Sequence, residues 1–254
     1  MKPALRTRWL GKAWRSDREC GSTNDEALAW ANAGAPTGAV VIAQAQSRGR
    51  GRQGRMWLCP EGENLYFSCV LRPHVSAQQC ALLPLVVGVA VADALTEFGA
   101  TPELKWPNDV LLHGKKVAGI LVEAHWHKRE LRHVIAGIGV NLNAAVMPPP
   151  LAATATSLAR VLGRDISMEQ FAAALCLHLE ERHDRWVGEG PESILSSWRT
   201  RATFWGKSIE LRRTGAAERV VALDLDPTGA LLVRNQDGQH ERIWSGEMFL
   251  EVSA

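Results

Sequence analysis

The sequence predicts an α+β protein in two parts, a larger mixed domain over residues 1–204 and a small β module over 205–254. Three observations point there. Residues 77–98 are almost wholly apolar, and residues 168–186 repeat Phe171, Leu175 and Leu179 at helical spacing, so both read as helices. Around them, runs of Val, Ile and Leu end at turn signals, as strands do. Beyond Trp205 the pattern changes to short period-two pieces. Asp226-Pro227-Thr228-Gly229 and Asn235-Gln236-Asp237-Gly238 separate them as turns, which suggests a small β-barrel.

The elements follow in order. A first helix is expected to begin at Ser22-Thr23, where Thr23 and Glu26 have capping-box spacing, and to stop at Gly34. Residues 40–43 and 64–70 read as strands on either side of a Gly/Arg loop over 47–55. In the apolar helix 77–98, Pro84 falls near the first turns, where proline is tolerated. Strands are expected at 103–106 with 110–113, at 117–126 and at 131–142, turning at Gly114-Lys115 and Lys128-Arg129. Pro148-Pro149-Pro150 reads as a loop, and the boundary between the two parts falls within 188–205. Residues 1–18 hold six basic side chains against one acid and read as a solvated basic tail.

Composition excludes several classes. A chain of 254 residues buries roughly 70–75% of its unfolded surface and needs no disulfide or structural metal. With 46% hydrophobic and 22% charged residues it is neither disordered nor fibrous, and its net charge of +2 demands no nucleic-acid partner. The longest apolar run, 81–92, falls short of the ~20 residues of a bilayer span. No apolar signal region opens the chain, so a cytoplasmic protein without a membrane partner is expected. Cys20, Cys59, Cys69, Cys80 and Cys176 form no C-x-x-C pair and read as free thiols.

Three segments carry chemistry. Gly49-Arg50-Gly51-Arg52-Gln53-Gly54 matches G-x-G-x-x-G, but no helix start and no later acid follow it, so a dinucleotide fold is not expected. Arg48, Arg50, Arg52 and Arg55 stand in eight residues with no acid among them, and Trp57 adjoins them. An anionic ligand with an aromatic base would suit this set. A solvated basic loop or a single-stranded RNA site would also account for it. In Lys105-Trp106-Pro107-Asn108-Asp109, the last two residues offer hard oxygens. Lys116 then enters an apolar strand, which is costly unless its ammonium meets an anion; a turn with snorkelling lysines is the plainer reading. Gly137-Ile138-Gly139-Val140-Asn141 puts glycines in a buried strand, which implies that something approaches the backbone closely.

These segments, in this order, resemble the biotin protein ligase family. The resemblance rests on Ser22-Thr23-Asn24, on Gln46 with the Gly49–Arg55 loop and Trp57, and on Lys105 to Asp109. Lys116 to Glu123 and Gly137 to Asn141 complete it. It implies a catalytic domain like that of class II aminoacyl-tRNA synthetases and an SH3-like C-terminal barrel. The implied reaction uses biotin and MgATP to make biotinyl-5′-AMP, then loads a lysine of a biotin carboxyl carrier protein. By position, the biotin-binding residues implied are Ser22, Thr23, Asn24, Gln46, Gly49, Arg50, Arg52, Lys116, Gly119, Leu121, Gly137 and Gly139. Those for ATP are Arg52, Arg55, Trp57, Asn108, Asp109, Lys116 and Asn141, with Lys116 and Arg52 catalytic. Mg²⁺ would come mainly on the nucleotide, with Asp109 and Asn141 as further oxygen ligands.

Two departures stand out. Ser47 and Arg48 occupy the loop's entry where small or amide residues are expected, and Gly21 stands where many relatives carry an acid. The 21 residues before Ser22 are too few for the DNA-reading domain of regulatory relatives, so no sequence-specific DNA binding is expected, from a monomer or a homodimer. His125 and His127 lie two apart with His133 on the next strand, but no nearby acid or thiol completes a metal set. Lipoate or octanoate transfer within the same superfamily is the runner-up activity, and an Arg/Gly RNA-binding module the alternative from another class.

Overall fold

The computed structural model describes residues 2–57, 62–128, 130–149, 151–213 and 216–250. The chain opens with β1 (Trp14–Cys20), α1 (Thr23–Asn32), β2 (Val40–Gln46) and β3 (Asn64–Leu71). Next come α2 (Ala77–Cys80), α3 (Leu83–Glu97) and the strands β4 (Glu103–Lys105), β5 (Asp109–Leu112), β6 (Lys115–His127) and β7 (Glu130–Asn141). Helices α4 (Leu158–Leu162), α5 (Met168–Glu189) and α6 (Glu192–Arg201) follow. The chain ends with β8 (Ser208–Arg213), β9 (Ala216–Leu225), β10 (Leu231–Arg234), β11 (His240–Ile243) and β12 (Glu247–Leu250).

Seven strands form a mixed sheet in the order β1-β2-β3-β7-β6-β5-β4, and β8 to β12 form a second, antiparallel sheet. In β3, β6 and β7 the period-two alternation sends Phe67, Ala118, Ile120, Ala136 and Ile138 to one face, into the main core. Helix α3 lies there between the sheet and helices α5 and α6. It is therefore apolar on nearly every side, and twelve of its fifteen residues are buried. Each fully buried Leu or Val here stabilises the fold by about 1.5–3 kcal/mol. Residues Ala77–Glu97 reach the length and apolarity of a bilayer span, more than the expected run of 81–92, yet 78% of that window is buried inside the fold. The opposite face carries α1 over a small cluster of Ala27, Ala31, Val41, Val70 and Ile135. That cluster is short, and beyond it the sheet face is left for other contacts.

Several expectations need correction. The helix 77–98 is two helices, because α2 ends at Cys80 and Pro84 sits at the start of α3. The capping box at the first helix is not made: Ser22 is the N-cap with no side-chain cap bond, and the Thr23 hydroxyl points to Gln46 instead. Gly34 does end α1, with φ +92°. The stretch 188–205 contains α6, whose Ser, Thr and Arg content hid its helical face. Arg199 ties α6 to β9 through Asp224 (2.6 Å) and the Leu225 carbonyl (3.1 Å). Cys69, Cys80 and Cys176 are free thiols, while Cys59, Arg129 and Pro150 lie outside the described residues.

The basic N-terminal segment is not a solvated tail. Residues 14–20 form β1, parallel to β2 with Trp14 opposite Val40. Before it, the buried Glu180 carboxylate accepts N–H bonds from Arg8 (2.7 Å), Trp9 (2.7 Å) and Leu10 (2.9 Å). Burial pushes the Glu180 carboxyl up, but the three N–H donors outweigh it and hold it below its ordinary 4.5. A depressed carboxyl stabilises the fold above its unfolded value and loses that contribution as pH falls through the folded one. Glu180→Ala should therefore cost about 3 kcal/mol at pH 7, from lost charge-assisted bonds and orphaned donors. Urea unfolding of both proteins at pH 7 and pH 4 checks this: the gap between them should narrow in acid. A gap independent of pH would show that Glu180 acts by packing alone.

Candidate active site

Sheet register builds the floor of the site. Ser68, Gly137 and Leu121 lie opposite one another across β3, β7 and β6. One step along, Tyr66, Gly139, Gly119 and Asp109 align across β3, β7, β6 and β5. These side chains share the α1 face, beyond the helix's N-terminus. Here the glycines are required by space. A Cβ on Gly137 would stand 2.1 Å from Asn24 Oδ1, and one on Gly119 or Gly139 would meet the Trp57 ring at 2.7 or 2.6 Å. The close approach expected at these glycines is thus made by side chains of the chain itself.

One end of the floor is polar. The Thr23 N–H (2.7 Å) and hydroxyl (3.1 Å) both donate to Gln46 Oε1. The buried Ser68 hydroxyl lies 2.6 Å from Asn24 Oδ1 and 2.8 Å from Thr23 Oγ1. Asn24 Nδ2 donates to Glu123 Oε2 at 2.7 Å. Ser22, Thr23 and Asn24 are all buried at the first turn of α1. Sequence reasoning missed Ser68, and its only signal was a hydroxyl inside an apolar strand.

The other end is charged. Lys116 Nζ reaches Asp109 Oδ1 at 2.6 Å, so the anion its position demanded is an internal one. Lys105 Nζ lies 3.8 Å from the same carboxylate. Burial pulls the Lys105 ammonium below its ordinary range, against the pull of Asp109. Asn108 fixes the turn between β4 and β5: its Nδ2 donates to the Ile120 carbonyl (2.8 Å) and its carbonyl accepts from Ile120 N–H (3.0 Å). Asn141 donates to the Thr156 carbonyl at 3.1 Å. Thr156 in turn bonds the Lys116 backbone, so Asn141 braces the strand that presents Lys116.

The Gly/Arg loop closes over this end as a small hairpin. Gly51 N–H donates to Arg55 O (2.7 Å) and Trp57 N–H to Gly49 O (3.0 Å). The bend is a single 3-10 turn over Arg52–Gly54, in which Gln53 takes φ 57° and Gly54 φ 72°. No acid lies within the loop, but acids come to it from elsewhere. Arg50 forms a two-pronged pair with Asp25 (2.8 and 2.7 Å), which holds that carboxyl below its usual range. Arg55 pairs with Glu247 at the start of β12. Arg52 donates to Asn108 Oδ1 (3.2 Å) and to the Gly246 carbonyl (3.4 Å), and burial lowers its pKa. The second sheet thus reaches the site, which sequence reasoning did not foresee. The two departures at the loop's entry also explain each other. A Cβ on Gly21 would stand 2.7 Å from the Arg48 guanidinium, so the bare glycine makes room for that side chain.

Known proteins are similar to this chain in sequence and fold. The family model described as "Biotin/lipoate A/B protein ligase family" matches residues 19–141, and "Biotin protein ligase C terminal domain" matches 204–251. A biotin–[acetyl-CoA-carboxylase] ligase of Paracoccus denitrificans is 38% identical over 229 residues, 86% of this chain and 92% of that one. The bifunctional ligase/repressor BirA of Bacillus subtilis is 33% identical over 249 residues, 97% of this chain and 76% of its own length. The chain belongs to the biotin protein ligase family. Among solved structures, the Aquifex aeolicus biotin protein ligase in complex with biotin and ATP superposes with a TM-score of 0.81. It is 29% identical, and the match covers 95% of this chain and 100% of that one.

Proposed function

We infer that the chain is an ATP-dependent biotin–protein ligase and that both half-reactions run on the sheet face flanked by α1, the Gly/Arg loop and β6–β7. The observation that carries this is the glycine floor, with hydrogen-bonding side chains at one end and the Lys116–Arg52 end opposite. A floor of glycines with hydrogen-bonding side chains at one end suits biotin, whose ureido ring is polar and whose acid lies at the far end; the Trp57 ring, which lies over Gly119 and Gly139, has to shift to admit it. Ser22, Thr23, Asn24 and Gln46 take the ureido ring, and Gly119, Leu121, Gly137 and Gly139 lie beneath the ligand. Trp57 offers a ring face to adenine, and Arg55 and Asn108 flank the phosphates.

In the first step a biotin carboxylate oxygen bonds the α-phosphorus of ATP, and the bond to pyrophosphate breaks. Two anions must meet, so the site must supply cations where they do. Lys116 and Arg52 do this, Arg50 and Gly49 line the approach, and the closed loop excludes water from the mixed anhydride. In the second step a neutral lysine amine of a biotin carboxyl carrier domain attacks the acyl carbon. The carbon–oxygen bond to AMP breaks, and the amine's proton passes to solvent. Asp109 is already balanced by Lys116 and Lys105, which suits a cation that arrives on the triphosphate more than a resident one. Asp109 and Asn141 would then hold magnesium by hard oxygens, and the metal would offset charge on the leaving pyrophosphate.

The same reading divides the chain into a catalytic domain, 1–204, of the class II synthetase type, and an SH3-like domain, 205–254. The antiparallel order β11-β10-β9-β8-β12 and the family match beginning at residue 204 support this. Free thiols accord with action in the cytoplasm. Incubation with biotin, MgATP and a carrier domain should release pyrophosphate and biotinylate one carrier lysine. Labelling with lipoate but not biotin would favour the runner-up.

A loop variant gives a second test. Arg52→Gly removes the contacts to Asn108 and Gly246 and adds chain freedom. A loss of about 2 kcal/mol in the closed state means roughly 30-fold faster escape of the adenylate. Biotin should then label an unrelated lysine-rich protein in the same tube. A variant that still makes and retains its adenylate, leaving the bystander unlabelled, would show that Arg52 does not gate it.

A further inference from the structure

The far ends of β6 and β7 carry a feature the ligase reaction does not use. His125 and His133 lie directly opposite each other on the α1 face, at the last regular pair before the register shifts between His125 and Trp126. Their ring centres are 5.1 Å apart with planes inclined by 30°. Both Nε2 atoms are buried and have no hydrogen-bond partner. His133 is 6% exposed. A buried imidazole nitrogen without a partner costs free energy, and two in neighbouring rings double that cost.

We propose that His125 and His133 form a two-imidazole site for a borderline divalent cation of the zinc, nickel or copper class, which staples the ends of β6 and β7. A metal ~2.1 Å from one nitrogen of each ring, at a near-tetrahedral angle, places the ring centres about 5 Å apart. That is the separation observed. Burial, then His125, Arg72 and Arg132, holds His133 in the neutral form that ligates metal. The same arginines repel a hard cation held by charge alone, so Mg²⁺ and Ca²⁺ are disfavoured and a metal bonding to imidazole is preferred. Among the described residues no group of three or more His, Cys, Asp or Glu side chains converges on one point. Water would therefore complete the coordination, and binding would be of moderate strength. The bulge beside the pair supplies the local freedom for the rings to close on a metal.

The test uses the full, untagged chain in buffer containing Mg²⁺, with Ni²⁺ as the probe. Calorimetric titration should show one equivalent bound. H125N and H133N should each weaken it by about tenfold or more, as the loss of one of two ligands requires. H127N, on the neighbouring exposed histidine, should leave it unchanged. Because H133N removes a buried side chain, NMR of the unsubstituted protein provides a second readout. Paramagnetic Ni²⁺ should first broaden the imidazole signals of His125 and His133. No binding, binding unmoved by H125N, or broadening confined to other histidines would overturn the site. Biotinylation by the unsubstituted protein is read separately, and its failure would not bear on this pair.

Discussion

Lys116→Ala should slow biotinyl-adenylate formation by ~10²–10³-fold, the scale of removing one charge-stabilising donor from a transition state. The fold should survive. Asp109 would keep Lys105 at 3.8 Å, so no carboxylate is stranded. The Lys116 side chain is a third exposed, so its loss opens no cavity. Its backbone bonds to Thr154 and Thr156 do not depend on the side chain. The measurement is single-turnover pyrophosphate release with saturating biotin and MgATP. Biotin binding alone should change far less than the rate, because the charge being stabilised develops only as the carboxylate meets the phosphate. Near-normal pyrophosphate release would mean that Lys116 serves only to neutralise Asp109.

Gly137→Ala should weaken biotin binding by roughly 30- to 150-fold, the equivalent of about 2–3 kcal/mol. The new methyl would stand 2.1 Å from Asn24 Oδ1, so the amide must leave. It would give up Glu123 at 2.7 Å and Ser68 at 2.6 Å, both partly or wholly shielded from water. The effect is confined to the polar end, since Gly137 has no left-handed φ and its backbone accepts alanine. A double variant separates site damage from misfolding. Adding Asn24→Ala removes the clash, so thermal stability should recover while biotin affinity does not. Unchanged biotin binding in Gly137→Ala would place the ureido ring elsewhere.

How much of this was legible in the sequence depended on whether the cause lay in the local pattern. The glycines of β6 and β7 announced that something must come close, and Lys116 announced that it needed an anion. Neither could name the partner. Asn24, Trp57 and Asp109 reach those positions only through sheet register and the placement of α1, which are long-range. Ser68 left almost no trace, because a lone serine in a strand is ordinary until its neighbours are known. Asp25 and Glu247 are half-buried acids on distant segments, and ion pairs of that kind impose no periodicity. Helices α1, α3 and α5 and the central strands were readable because burial stamps its period on them. Strand β1 and helix α6 were not, since an edge strand of alternating charges and a helix rich in Ser, Thr and Arg bury too little to show it.

Two of the four loop arginines reach their ligands already neutralised. Arg50 holds Asp25 and Arg55 holds Glu247, on opposite sides of the hairpin. An incoming anion therefore trades places with a carboxylate and does not fall into a bare positive field. Salt screens the resident pairs and the newcomer's attraction alike. Counterion exchange of this kind leaves little net charge to screen, so biotin affinity should be nearly flat across ionic strength despite the basicity of the loop. A steep fall with added salt would mean that the arginines shed their carboxylates before the ligand arrives.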